Sequence, residues 1–139
     1  MKRYFPFVLV AVLLSACSPS GSDSAASAAA EKEIAQKQPE FTIDAPKLFE
    51  EFRAAESDSK TKYVQKVLRV TGKVDSTKTQ LSRTSSSYEV TLINDVTCYF
   101  APTHGQRITE LKASDAVTIK GRCKAGGTSG VILEGCTFQ

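Results

Sequence analysis

Apolar and polar residues alternate with a period of two along residues 66–75. Leu68, Val70, Gly72 and Val74 fall on one face, and Arg69, Thr71 and Lys73 on the other. That alternation predicts a half-buried strand. Gly72 stands in the apolar row, where a missing side chain lets a strand bend sharply or another backbone come close. A long, bent strand with neighbours on both edges is what closing a small barrel requires. The same period recurs at 88–93, 96–100, 117–123 and 131–138, predicting four further strands. Asn94-Asp95 marks a turn between the second and third. Residues 76–87, rich in Ser and Thr, read as a hairpin tip, and residues 125–130 as a flexible turn.

Elsewhere the period lengthens. Ala45, Leu48, Phe49 and Phe52 are spaced i, i+3, i+4, i+7, one apolar stripe of a helix. Asp44 is placed to cap it, and Pro46 lies in its first turn, where a missing N–H costs nothing. Ser57, Asp58 and Ser59 break the pattern, and a shorter helical turn over 60–65 carries Tyr63 toward the core. These pieces predict a lid over one end of the sheet. Ile108 and Leu111 mark a short helix after the third strand, with a Pro/Gly loop at 102–105 before it.

Three strands, a helix and two strands is the order of the OB-fold, a five-stranded Greek-key barrel. The expected class is therefore mainly β with α, a barrel preceded by an N-terminal helix. From about Ala45 to Gln139 the chain resembles the tRNA-anti-like OB-fold proteins. The resemblance is carried by Leu48-Phe49, by Tyr63 with Val67-Leu68-Arg69-Val70-Thr71-Gly72-Lys73-Val74, and by Val96-Thr97-Cys98. Two later stretches complete it, Val117-Thr118-Ile119-Lys120-Gly121-Arg122-Cys123 and Val131-Ile132-Leu133-Glu134-Gly135-Cys136. One position departs: the family's usual Gly before the Asp that opens strand four is Ser114. The resemblance implies a fold and transfers no catalytic residue, ligand or cofactor.

The first sixteen residues read as an export signal, with Lys2 and Arg3 ahead of an apolar run from Tyr4 to Leu14. Eleven apolar residues are too few to cross a hydrocarbon core, which needs roughly 20 in a helix. Leu14-Ser15-Ala16-Cys17 looks like the lipobox of bacterial lipoproteins, in which the Cys is acylated and becomes the new N-terminus. One acyl chain gives marginal attachment and two suffice. The resemblance implies palmitate-class lipidation at Cys17. Ser18, where inner-membrane lipoproteins often carry Asp, implies the outer membrane, facing the periplasm. Residues 17–40 then form the lipidated Cys and a flexible tether, poor in apolar residues except Ile34. Residues 18–27 are expected as coil and residues 28–38, rich in helix formers, as a transient helix. As coil throughout, residues 18–40 span roughly 25 Å root-mean-square. The globular domain is residues 41–139.

Losing the signal changes the charge. The chain carries +3, and removing two basic residues leaves +1 on the mature protein, which does not advertise nucleic-acid binding. Arg69, Lys73, Lys120 and Arg122 nevertheless share the outer faces of neighbouring strands. With Tyr99 and the loop at Arg83, they form a candidate anion-binding face. Glu89 dilutes it, and ordinary charged decoration of a solvated sheet competes with it.

Three further cysteines sit on three different predicted strands: Cys98, Cys123 and Cys136. An exported location favours oxidation. A Cys123–Cys136 disulfide closing the last hairpin is the favoured pairing, worth about 3 kcal/mol in the chain-entropy estimate. It needs a bulge near Gly135 to bring Cys136 onto the face of Leu133. Cys98–Cys136 is the rival. A metal site from these cysteines and His104 lacks any CxxC or HxxxH spacing, so no metal and no cofactor are expected. His104, the sole His, reads as a solvated turn residue. No Ser-His-Asp set, carboxylate pair or phosphate-binding Gly loop stands out, so the chain is read as a non-enzyme. The expected role is a lipid-anchored envelope module binding a protein or glycan, with polyanion binding (nucleic acid or anionic lipid headgroups) as the alternative.

Overall fold

The computed structural model describes residues 23–81 and 86–139. The signal peptide, Cys17, Ser18 and Arg83 lie outside the described residues. In chain order the elements are α1 (Asp23–Gln36), β1 (Phe41–Asp44), α2 (Ala45–Ala54), α3 (Glu56–Tyr63), β2 (Val67–Leu81), β3 (Ser86–Leu92) and β4 (Val96–Phe100). A 3-10 turn (Pro102–His104) leads into α4 (Gly105–Glu110), followed by β5 (Ala116–Gly127) and β6 (Gly130–Phe138). The sheet order is β1-β2-β3-β4-β6-β5, and β2 also pairs with β5. That last pairing closes a five-stranded barrel.

β2 serves both halves of the closure. Val67–Lys73 pair antiparallel with β5, and Val74–Leu81 pair antiparallel with β3. The register slips between Val74 and Ser76, so the strand bends just past Gly72. A Cβ at Gly72 would stand 3.0 Å from the Ala45 Cβ and 3.1 Å from Leu92 Cδ1, so the bare backbone seats the start of the lid. Leu68, Val70 and Val74 are buried in the core with Val90, Leu92, Phe100, Ile119 and Leu133. The Ser/Thr-rich segment is strand rather than tip for much of its length, because β-branched Thr77 and Thr79 suit a paired extended backbone.

The lid forms as its stripe predicts. Ala45, Leu48 and Phe52 are buried, while Phe49 is partly exposed beneath the Arg53 guanidinium, 5.7 Å from its ring centre. Asp44 occupies the cap position with extended φ and ψ, though its side chain makes no cap hydrogen bond. Phe52 lies flat on the glycine hairpin end, its ring 2.5 Å from where a Gly126 Cβ would be. α3 begins at Glu56, earlier than the sequence pattern predicts, and delivers Tyr63 into the core. Tyr63 Oη donates to Glu51 Oε2 at 2.6 Å, and Lys62 Nζ donates to the same oxygen at 3.0 Å. Tyr63's hydrogen bond is the main cause that holds the Glu51 carboxyl below the usual carboxylate range.

One element was not anticipated: β1 runs parallel to β2, Phe41–Asp44 beside Leu68–Thr71, continuing the edge that β3 occupies further along. α1 is a 14-residue helix that begins within the stretch expected as coil and spans most of residues 28–38, expected as a transient helix in the tether. Ser114 takes a left-handed φ of 74°. Its N–H still reaches Val74 O at 2.7 Å, so the turn before β5 keeps the shape a glycine would favour.

Two outcomes test this architecture. Left-handed backbone costs a non-glycine residue roughly 1–2 kcal/mol, part of which glycine returns as unfolded-state entropy. Ser114→Gly is therefore expected to stabilise the domain by about 0.5–1 kcal/mol in urea denaturation; a destabilised variant would show the turn is not strained. A carboxyl with a depressed folded pKa contributes stability above its unfolded pKa of about 4.3, lost as pH falls through the folded value. Tyr63→Phe should accordingly destabilise more at pH 7 than at pH 3, and equal losses at both would disconnect Tyr63 from Glu51.

Candidate functional site

The candidate anion face does not assemble as one surface. Arg69 and Lys120 are register partners across β2 and β5, and Arg122 follows two residues on. Lys73 lies at the far end of that pairing, opposite Ala116. There it borders a groove of about 360 Å³ lined by Asp44, Pro46, Thr71, Gly72, Ile93 and Ala116. Tyr99 is on β4, which is separated from β5 by β6.

The central cations already have partners. Lys120 is 7% exposed, and its ammonium donates to the carbonyls of Ala35 at 2.8 Å and Lys37 at 3.1 Å. Those carbonyls lie at the C-terminal end of α1, where a helix leaves acceptors unpaired and carries partial negative charge. Arg122 donates twice to Glu134 Oε1, at 3.0 and 2.7 Å. Arg69 donates to Gln139 Oε1 at 3.3 Å, and its buried Nε has no protein partner. This flank is thus a helix-docking surface, on which Lys120 is covered by α1 and Arg122 is paired with Glu134.

α1 is held at three further points. Ile34 is fully buried, its Cδ1 filling the space where a Gly135 Cβ would sit. Gly135 has φ +59°, so glycine is required both by backbone and by space. Glu31 accepts from His104 Nε2 at 2.8 Å and from Thr103 Oγ1 at 3.4 Å. His104 is therefore not a free turn residue: it is partly buried, with its ring edge-on to Phe100 at 5.5 Å and Phe138 at 5.9 Å. Sequence reasoning noted Ile34 and read His104 as a solvated turn residue, and it missed Glu31. The signal was Glu31-x-x-Ile34 on one helical face within an otherwise small-residue segment.

The opposite flank differs. Thr91, Thr97 and Tyr99 are half-buried on the outer side of β3 and β4, with exposed Lys78 beside them on β2. Lys78 Nζ stands 3.5 Å from Glu89 Oε1, and Thr91 Oγ1 donates to the same oxygen at 3.4 Å. A smaller cleft, about 320 Å³, opens at the β5–β6 turn between Glu56 and residues 125–130.

The favoured Cys123–Cys136 bridge is not formed; Cys98, Cys123 and Cys136 are free thiols. The bulge at Gly135 does turn Cys136 inward, as its position requires. The same bulge carries Cys136 toward the Lys120–Thr137 rung, while Cys123 pairs with Leu133, so the two sit on different rungs of the β5–β6 ladder. Cys123's thiol points to Ala125 O at 3.8 Å, and burial pushes its pKa up to about 12. Among the described residues, no three His, Cys, Asp or Glu side chains gather where they could hold a metal ion.

A closed five-stranded barrel with an end helix and a lid defines the class: a small OB-fold domain. The tRNA_anti-like family profile matches residues 1–137, and the chain belongs to that family. Among solved structures, the fold is similar to a "putative nucleic acid-binding lipoprotein" from Klebsiella pneumoniae. The two are 15% identical with a TM-score of 0.61, and the match covers 78% of this chain and 96% of that one. No match was found among curated proteins.

Docking of α1 predicts a local effect. Burying Ile34 contributes about 1.5–3 kcal/mol, so Ile34→Asp should raise amide exchange of residues 30–36 by at least about tenfold, equal to 1.4 kcal/mol. The barrel strands should keep their protection. Unchanged exchange in 30–36 would mean the helix is not held by this contact.

Proposed function

We propose that this protein is a non-enzymatic, lipid-anchored module of the cell envelope that binds a protein or glycan partner. In this reading the signal peptide is removed, Cys17 is acylated, and the barrel is displayed from the outer membrane toward the periplasm. The lipobox-like Leu14-Ser15-Ala16-Cys17 supports the anchor. A structural neighbour named as a lipoprotein supports the envelope location.

The observation that carries the choice of surface is the fate of Lys120. Its ammonium is covered by α1 and Arg122 is paired with Glu134, so neither of these two cations is presented freely to a polyanion. The outer face of β3 and β4, with Tyr99, Thr97 and Thr91, offers an aromatic and hydroxyl-bearing surface of the kind OB-folds use for ligands. The Klebsiella protein's name gives the alternative, nucleic acid, its specific footing. For this chain that reading requires phosphate contacts from Arg69, Lys73 or Lys78.

Salt dependence separates the two. Binding that rests on phosphate contacts weakens steeply with salt, by 10³ or more between about 50 and 200 mM when several contacts are made. A single-stranded oligonucleotide is expected to be retained weakly or not at all at about 150 mM salt. A photo-crosslinker at Tyr99 in intact envelopes should capture a defined partner that one at Lys32 on α1 does not. Tight oligonucleotide binding lost in Arg69→Gln or Lys78→Gln would replace this reading with the polyanion one. Cys17→Ser should release the protein from membranes; continued attachment would remove the lipid anchor.

A further inference from the structure

α1 is fastened to the barrel without taking part in its closure, since none of the ladders joining β2 to β6 uses a residue of the helix. What it covers is a row of like charges. Arg69 and Lys120 are partners on one antiparallel rung, where two cations set directly opposite repel each other. Arg122 lies two residues further along the same outer face of β5. Glu134 is shared between Arg122 at 2.7 Å and Lys124 at 3.9 Å, so it offsets only part of this charge. The remainder is met by α1. The carbonyls of Ala35 and Lys37 close on the Lys120 ammonium at 2.8 and 3.1 Å, as two oxygens of a bound anion would. Carbonyls at a helix end carry partial charge, so they occupy the ammonium without neutralising it. The buried Nε of Arg69 has no hydrogen-bond partner among the described residues. The helix's grip is narrow as well: Ile34 is the only buried side chain within residues 28–37, aided by the contacts of Glu31 with His104 and Thr103.

We propose that Arg69, Lys120 and Arg122 form a binding strip for the phosphate headgroups of an anionic bilayer, and that α1 is the detachable cover of that strip. Guanidinium and ammonium groups are the side chains suited to phosphate oxygens, which replace the helix carbonyls with full negative charge. This rests on the lipid anchor proposed above, which keeps the strip within reach of headgroups. The anchor also favours a bilayer over a nucleic acid as the source of phosphate. The small net charge of the mature chain draws no polyanion from a distance, whereas an anchored strip needs no such attraction. Near an anionic surface each Lys or Arg gains roughly fivefold in partition, and three together about a hundredfold. That competes with a helix held by one buried side chain. Seated this way, the barrel turns its β3–β4 face away from the membrane.

The test uses full-length protein purified from envelopes in nonionic detergent and reconstituted into two kinds of vesicle. One is phosphatidylcholine alone, and the other is equal parts phosphatidylcholine and phosphatidylglycerol. Amide exchange of residues 30–36 is expected to be at least about tenfold faster in the anionic vesicles, with β5 unchanged. The difference should vanish at about 1 M salt, where the Debye length is about 3 Å. Amine-reactive labelling reads the strip itself, with exposed Lys112 as the internal reference. In neutral vesicles Ile34→Asp should speed labelling of Lys120 by at least about tenfold, and anionic vesicles should suppress that gain. Ile34→Ala repeats the comparison with a milder change. Equal exchange of residues 30–36 in both vesicles, or labelling of Lys120 in the freed variants that ignores lipid charge, overturns the proposal. Release of α1 by a single-stranded oligonucleotide but not by anionic lipid overturns it too. The intact mass reports acylation at Cys17, so failure of the anchor is seen separately. For an unacylated protein, cosedimentation of the Ile34→Asp chain with the same vesicles decides the matter: capture by the anionic ones alone sustains the strip, and any other outcome ends it.

Discussion

Everything in this domain depends on β2 being hydrogen-bonded along both of its edges. Its first half belongs to β5 and its second half to β3, and the change of direction is concentrated between Gly72 and Ser76. Closing a sheet this way removes exposed edges and encloses a core narrow enough for side chains to fill. The bend also sets where everything else attaches. Gly72 leaves the gap into which the Ala45 side chain fits, so the lid is seated by the same feature that turns the strand. The turn before β5 is tied back to this point as well, through Val74 N–H to Asp115 O at 2.9 Å and Ser114 N–H to Val74 O.

Electrostatics in this barrel work locally. Charges that share an outer face in the primary pattern are separated by register or satisfied by neighbours. Lys120 illustrates the point: a surface lysine contributes little until a helix end supplies two carbonyls, after which its burial is compensated. Fold and function are distinct questions for such a scaffold. The barrel identifies a family, while the choice of ligand depends on which flank is left open.

Much of the fold was legible because its determinants are local and periodic. The alternation at Leu68–Val74 and Val96–Phe100, and the stripe of Leu48 and Phe52, each read directly onto a buried row. The need for a bulge at Gly135 was also visible, since Cys136 follows Leu133 by three residues. What could not be read was long-range. α1 has weak sequence signals because most of its holding energy comes from partners 70 or more residues away, His104, Lys120 and Gly135. β1 is four residues long, and its parallel partner is set by tertiary contact. The candidate site was legible as a set of cations and illegible as a surface.

The docked helix also shortens the part of the chain that can serve as a spacer. With Glu31, Ile34 and the carbonyls of Ala35 and Lys37 fastened to the barrel, the C-terminal part of α1 travels with the globular unit. Any attachment made ahead of the helix would therefore hold the barrel on a shorter arm than a coil over residues 18–40 gives.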